Sequence, residues 1–559
     1  MHRSTVFTLL LFSLFFFFSF WLMFHTFSYD TKTHAMLLSA KVWSDFGSHI
    51  ALIRSFSLGD NAARMLRGKA PEYPLFPGEP IRYHFLFYLF VGLLEKIGLR
   101  IDWAINIPSA LGFFLLLSTI YILAMRLFKD HRIAILGIIF FLFNGSLSFI
   151  RFFQTHPISF RTPMEILRTT EFTSFAPWGK GDITAFWNLN IYTNQRHLAL
   201  AFGIGLLFLM AIHELHHKSW KQQRLWAIGF GLLFGIFPFF HQPTLVIIAV
   251  CMAVYFFLFP KLRIFLLVSG AITFTLAMPQ LLFLTHSGAD KSIAWYPGYL
   301  IHDSLTLGHF VSFWWQNLGL HLLLIPLGFI LAPRKIRQLF FPIFFIFIMG
   351  NTVKFSVEAA ANHKFFNFAL IIGNLLSAYA LVRIWSSLSS SIIFIKFISL
   401  IIVILLVFFS IFSGVIDFMV VVNDVKGPLA DIPANKTAAW IAKNTPKDAV
   451  ILNSSFLYHP ASIAGRKIFL GWPYFAWSAG YNTYKRLSDM QKMYESTDRV
   501  ALCAQLKANH ISYITFQTRN ASQEVFFREA IFNNNFIQVF SDAGEGFTIY
   551  QPKPDCVRE

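Results

Sequence analysis

The segment Tyr29 to Arg100 is a polar insert between apolar runs at 6 to 28 and 104 to 126, and its centre reads Trp43-Ser-Asp-Phe-Gly-Ser-His-Ile50. How this insert is read decides the fold, since the runs on either side have the length that a hydrocarbon core demands. Asp45 and His49 stand four apart, so a helix places both on one face, close to where the first run would leave a bilayer. These two residues are the first candidates for a reaction centre.

Composition makes the flanking runs membrane spans. A chain of 559 residues with 56% hydrophobic content, 69 Phe and 13% charged residues cannot hide its apolar side chains in one soluble core, so a polytopic α-helical membrane protein is expected. The run Val6 to Ser28 is longer than the apolar core of a signal peptide, and no Ala-x-Ala-like cleavage site follows it. That predicts a retained signal anchor. Further apolar runs at 133 to 150, 198 to 213, 225 to 240, 244 to 260, 263 to 284, 307 to 331, 339 to 353, 365 to 385 and 391 to 416 bring the expected spans to about eleven. Those shorter than about 20 residues admit merged, tilted or re-entrant segments.

Basic residues near span ends stay in the cytoplasm, and every second connection is short and basic. These connections hold Arg3; Arg126, Lys129 and Arg132; Lys218, Lys221 and Arg224; Lys261 and Arg263; Arg334, Lys335 and Arg337; and Arg383 with Lys396. They carry 14 basic residues against two acids, Asp130 and Glu214, whereas the tail from Asp417 carries 15 against 13. The N-terminus is therefore expected inside, and the loops 29–103 and 151–197 and the tail 417–559 outside. The formal charge of +18 is then a topology signal, and a nucleic-acid partner is excluded because no single basic face remains. The short apolar stretch Phe85 to Gly98 would invert every later loop if it spanned. It is expected as an interfacial or re-entrant helix on the outer side.

The tail changes character. Lys436 to Asn444, Tyr484 to Tyr494 and Arg499 to Asn509 read as helices, and Ala449 to Asn453, Ser512 to Gln517, Phe536 to Phe540 and Gly546 to Tyr550 as strands. Alternation at that spacing predicts a C-terminal extracytoplasmic α/β domain. Cys503 and Cys556 fall within it and either pair or stay free, while Cys251 in a span reads as a small apolar residue. Trp472, Tyr474, Phe475 and Trp477 are dense for a surface loop. They serve either to accept a sugar ring or to pack the tail onto the membrane part.

Polar residues gather at the mouths of the outer loops: Asp30, His34, Asp45, His49, Arg54, Arg82 and His84 in the first, Asp182 and Asn194-Gln-Arg-His197 in the second, then His241-Gln-Pro243, Lys354 and Asn362-His-Lys-Phe-Phe-Asn367. Their positions suggest one shared cavity at the outer interface. His213, His216 and His217 sit in an inner basic loop and read as a solvated helix end.

At these residues the chain resembles the GT-C superfamily of membrane glycosyltransferases, in particular the bacterial lipid-linked mannosyl- and aminoarabinosyl-transferase type. Trp43 to Gly59 is similar to that family's first acidic motif, an Asp followed four residues later by Tyr or His. Pro80-Ile-Arg-Tyr-His-Phe-Leu86, Ile107-Pro-Ser-Ala-Leu111 and Arg126-Leu-Phe128 resemble its Pro-x-x-Tyr, Leu-Pro-Ser-Ala-Leu and Arg-Leu-Phe-Gly landmarks. The likeness covers roughly residues 1 to 200 by motif and the rest by architecture.

The resemblance implies a GT-C-like catalytic domain over 1–416. It would move a hexosyl or pentosyl group from a polyprenyl-phosphate donor to a glycan, lipid or protein acceptor, on the outer face of the membrane. Asp45 would then be the catalytic carboxylate, acting as base toward an acceptor hydroxyl or organising a divalent metal ion on the phosphate, with His49 assisting. Relatives often carry a second Asp where this chain has Asn194-Gln-Arg-His197. The nearest upstream acid is Asp182, which makes Arg196 and His197 candidates for holding phosphate directly. Arg82, His84, Asp182, Asn194, Lys354, His363 and Lys364 complete the substrate-binding candidates, with lipid headgroup contact the other reading of Arg82, Lys354 and Lys364. Trp472, Tyr474 and Trp477 are the acceptor-binding candidates.

Two other classes fit the composition. A transporter or flippase needs acids inside spans, and here no Asp or Glu falls inside an expected span. A non-catalytic envelope-assembly protein would use the tail as its interaction module.

Overall fold

The computed structural model of the chain describes residues 2–143, 145–172, 187–285, 293–388, 393–518, 526–553 and 556. In a bilayer an apolar run satisfies its backbone N–H and C=O groups as a helix. Six described helical segments are long and apolar enough to cross: Thr5–Thr26, Ile101–Phe128, Leu198–Leu215, Pro260–Leu284, Ala359–Leu388 and Ile393–Val422. A seventh results if Leu307–Leu318 and His321–Leu331, bent by 89° to one another, count as one span. The bend falls at Gly319, whose φ of 51° and ψ of −131° suit a residue without a Cβ.

This is fewer than the eleven spans that hydropathy predicts. The remaining runs are helical but short, as in His131–Leu142, Trp220–Gly235, Gln242–Leu258 and Pro342–Thr352. At ~1.5 Å per residue these reach less than the ~30 Å hydrocarbon thickness. The run at 133 to 150 divides because Phe143 takes extended backbone and a separate helix begins at Ser148. Hydropathy averages over such a turn. Leu86–Lys96 is a helix of 11 residues, too short to cross, as expected of Phe85 to Gly98. It lies against Trp43–Ser57 and Ile101–Phe128.

Just beyond the first helix, Phe27–Asp30 and Ala35–Ser39 form an antiparallel hairpin, and Lys426–Ala430, beyond the last long helix, pairs with its edge. His25 Nε2 lies 3.1 Å from the carbonyl oxygen of Val421. The exits of the first and last long helices therefore sit side by side, so the 29–103 loop and the tail share one side of the helical bundle.

The tail holds a five-stranded sheet in the order Lys467–Ile468, Val450–Leu452, Ile511–Gln517, Phe547–Pro552, Phe536–Asp542. The first three strands run parallel, and Phe547–Pro552 is antiparallel to both of its neighbours. Helices Lys436–Asn444, Thr483–Glu495 and Arg499–Ala508 fall within a residue or two of the sequence reading. Cys503 and Cys556 are joined as a disulfide, and Cys251 is buried and free.

Helix Trp43–Ser57 joins the layers. Near its C-terminal end Arg54 is buried, with Nε 2.8 Å from Glu95 and Nη2 3.1 Å from Asp431 of the tail, and Nη1 donates to the carbonyl of Ile463 at 3.0 Å. The two carboxylates hold the guanidinium above its usual pKa against the opposing effect of burial. Past the helix end a Cβ on Gly59 would lie 2.4 Å from the carbonyl oxygen of Gly465, so only glycine lets the tail backbone come this close. Replacing Arg54 by Met leaves Glu95 and Asp431 facing each other without a cation. Removing one partner of a buried ion pair costs about 3–5 kcal/mol. The expected result is a markedly lower unfolding temperature in detergent and faster proteolysis at the loop–tail junction.

Candidate active site

Asp45 lies in the first turn of helix Trp43–Ser57 and His49 one turn later. Both line a cavity of about 290 Å³. Its walls come from segments far apart in sequence: Ser48, Tyr73 and Arg82 to His84 of the first loop, Gln195 before helix Leu198–Leu215, and Gln242 and Pro243 opening the next helix. Thr285 ends another, Phe355 to Glu358, Ala361, Asn362, Lys364 and Phe365 precede or open His363–Leu388, and the tail adds Tyr474 and Phe475 with Ser478 to Gly480. These helix ends all meet on the tail's side of the bundle, giving the shared cavity expected from the polar loops.

The electrostatics centre on three charges. Burial pushes the Asp45 carboxyl up from its ordinary 3.8 to about 6, with Lys364 pulling it back and Glu358 adding to the rise. Asp45 lines the cavity and is only half-buried, so a hydroxyl brought into the cavity can reach its carboxyl. Lys364 is buried at the start of its helix. Glu358 is half-buried, accepts a hydrogen bond from the Tyr474 hydroxyl, and is also pushed up by burial. Burial, with Arg196 nearby, pushes His49 down to about 3. Its imidazole is therefore neutral at physiological pH and able to donate or accept a hydrogen bond.

The other expected residues divide. Arg82 lines the cavity, but its side chain is engaged with Glu79 at 2.9 Å and the carbonyl of Gly480 at 3.3 Å, and its guanidinium lies 4.8 Å over the Tyr481 ring. It anchors the tail to the loop as well as facing the site. His84 lines the cavity, and its Nε2 lies 2.8 Å from that of His197, which stands behind the wall. Arg196 is fully buried outside the lining, donating to Asn106 Oδ1 at 3.1 Å, Thr26 Oγ1 at 2.9 Å and the Met23 carbonyl at 3.3 Å, and stacks over Phe46 at 5.1 Å. Its contribution to the cavity is a charge felt through the protein.

His363 stands beside the lining, its Nε2 3.2 Å from Gln195 Nε2. Asn194, Lys354, Trp472 and Trp477 are not among the lining residues. Lys354 lies 5.8 Å from the Tyr296 ring, Trp472 is exposed, and Trp477 sits 6.0 Å from Tyr474. Of the aromatic trio only Tyr474 reaches the cavity. Asp182 lies outside the described residues.

Glu358 is the residue that the sequence reading missed. It sits between two quoted stretches, Asn351-Thr-Val-Lys354 and Asn362-His-Lys-Phe-Phe-Asn367, and an acid in the approach to a buried helix that opens with Lys364 was the available signal. Its charge raises the Asp45 pKa. Removing it by Glu358→Gln is expected to shift the acidic limb of the pH–rate profile to lower pH.

Among the described residues one group of three metal-ligating side chains converges, His84, His197 and His241, and Asp45 is not part of it. The described residues thus offer Asp45 a lysine and a second carboxylate rather than a converged ligand set.

Over its full length the chain superposes on two crystal structures of ArnT from Cupriavidus metallidurans. One, bound to undecaprenyl phosphate, matches with a TM-score of 0.51 and 11% identity over 99% of each chain. The other, in the apo state, matches with 0.52 and 11% over 100% of each. The chain has the ArnT fold. That fold and the apolar helices make this an integral membrane protein. No family model matches the sequence, and no curated protein matches it.

Proposed function

We propose that this protein is a GT-C-type glycosyltransferase that moves a sugar from a polyprenyl-phosphate donor to a glycan, lipid or protein acceptor. The observation that carries the proposal is the placement of Asp45 at a cavity shared by the loop, the helix ends and the tail, facing Lys364 and Glu358. The ArnT fold supports the choice of donor, because one of the two ArnT structures holds undecaprenyl phosphate.

In this reading Asp45 takes the proton from the acceptor hydroxyl as that oxygen attacks the anomeric carbon. The bond from that carbon to the phosphate oxygen breaks, and the polyprenyl phosphate leaves with the electron pair. General-base assistance of this kind contributes about 10²- to 10⁴-fold. Lys364 offsets charge on the departing phosphate, the buried Arg196 adds a positive potential from behind the cavity, and His49, uncharged at physiological pH, offers a hydrogen bond. Arg82 and His84 border the donor, and Tyr474, held by Glu358, borders the acceptor. The helix ends bring apolar Leu284, Phe355 and Phe365 to the same cavity, a surface suited to the first isoprene units.

The basic connections support a reading with the loops and tail on the outer face, and the Cys503–Cys556 disulfide supports that side, since disulfides persist in oxidising compartments. Lipid extracts from cells lacking the protein test the reaction. A polyprenyl-phosphate sugar is expected to accumulate several-fold, with loss of one glycosylated product. An unchanged donor pool and product profile would remove the assignment.

A further inference from the structure

His84, His197 and His241 come from three separate segments: the approach to helix Leu86–Lys96 and the residues just before Leu198–Leu215 and Gln242–Leu258. One ring nitrogen of each lies within 4.8 Å of the other two, and all three side chains are buried. Nε2 of His84 and Nε2 of His197 are 2.8 Å apart. His241 has its Nδ1 2.7 Å from Thr244 Oγ1, and its Nε2 has no hydrogen-bond partner among the described residues. The rings are 4.6, 5.2 and 5.3 Å apart between centroids.

Packing alone does not account for this. A buried polar atom without a partner costs about 1–3 kcal/mol, and an unpaired buried nitrogen aimed at two other imidazoles calls for a ligand. The salt bridges formed by described residues bring no carboxylate to the trio. Three imidazoles without an acidic oxygen suit zinc, cobalt, nickel or copper and not magnesium or calcium. Three histidines leave a further position open, the pattern of sites that also bind water or substrate oxygen. Thr244 holds the ring in place, its backbone N–H donating to His241 Nδ1 at 3.4 Å and its hydroxyl oxygen 2.7 Å from the same nitrogen; on metal binding the hydroxyl can take the Nδ1 proton and leave Nε2 to the ion.

We propose that His84, His197 and His241 bind one divalent transition-metal ion with the ligand preferences of zinc, immediately behind the cavity wall that His84 forms. The site stands apart from Asp45 and does not depend on the glycosyltransferase reading. His213, His216 and His217 form no such group: His216 Nδ1 is 2.6 Å from the His213 carbonyl oxygen, and Glu214 pairs with Arg126.

The test uses full-length protein purified in detergent without a polyhistidine tag, stripped with chelator, given zinc and passed through gel filtration, with metal measured by mass spectrometry. About one zinc per chain is expected, lost in His197→Gln and in His241→Gln and kept when His213, His216 and His217 are all changed to Ala. Zinc absent from the wild type, or retained undiminished by His197→Gln and His241→Gln, would overturn the proposal. The wild type loaded with cobalt(II) gives a readout that does not depend on the variants folding. X-ray absorption should show a histidine-rich shell, and a shell without imidazole would refute the site.

Discussion

Replacing Asp45 by Asn is expected to lower the rate of glycosyl transfer by about 10²- to 10⁴-fold, the range of a lost general base, while the protein still folds and inserts. The amide keeps the size of the carboxyl and removes only its proton affinity. The stability prediction has the opposite sign to most active-site losses. The folded-state pKa of Asp45, about 6, lies above its ordinary 3.8. The native state is therefore penalised as pH rises through that interval, because the carboxyl must ionise in a poor environment. The Asn variant escapes the penalty. Its unfolding temperature should equal or exceed that of the wild type at neutral pH and converge with it below about pH 4. A variant that is both inactive and less stable at neutral pH would point to a structural role.

The second large effect belongs to Lys364. Changing it to Met removes the group that draws the Asp45 pKa down, so the acidic limb of the rate profile should move toward higher pH. That is the reverse of the shift expected for Glu358→Gln. The same change deletes the cation placed to meet the donor phosphate. A hydrogen bond to a charged group is worth about 1.5–3 kcal/mol, which translates to a fall of about 10- to 100-fold in kcat/KM at pH 7. Steady-state kinetics between pH 5 and 9 on the two variants would settle the pair. Shifts of the same sign would mean that the two charges do not act through Asp45.

Much of this arrangement was legible in the sequence, for physical reasons that differ by element. The long helices announce themselves because an uncharged run of bilayer length has few other ways to satisfy its backbone. The three helices and four strands read in the tail fell within a residue or two because strand alternation and turn residues are local signals, while short elements such as Lys467–Ile468 and Glu529–Asn535 were not read. The pair Asp45 and His49 was readable from a four-residue spacing within one helix. What failed depended on geometry between segments. Arg196 carries the charge of a phosphate ligand, but its guanidinium turns toward Met23, Thr26 and Asn106, a choice set by how three helices meet.

Glu358 was passed over for the same reason, and His241 was read as one polar residue at an outer turn without its partners. Each gains its meaning from partners more than a hundred residues away, Tyr474 for one and His84 for the other. A second acid thus reaches the cavity from a loop other than the one that holds Asn194. Arg54 shows a further kind of concealment. It reads as a polar residue on the site helix, and only the fold reveals that it ties that helix to Glu95 and to Asp431 of the tail.

The most direct measurement is release of polyprenyl phosphate by purified protein in lipid vesicles given a polyprenyl-phosphate-linked sugar and a membrane extract as acceptor source. Wild-type protein is expected to release the carrier phosphate and form a glycosylated product in equal amounts, and the Asp45→Asn variant, folded and equally incorporated, to do neither above background. Equal turnover by the two proteins would contradict the assignment of Asp45 as general base.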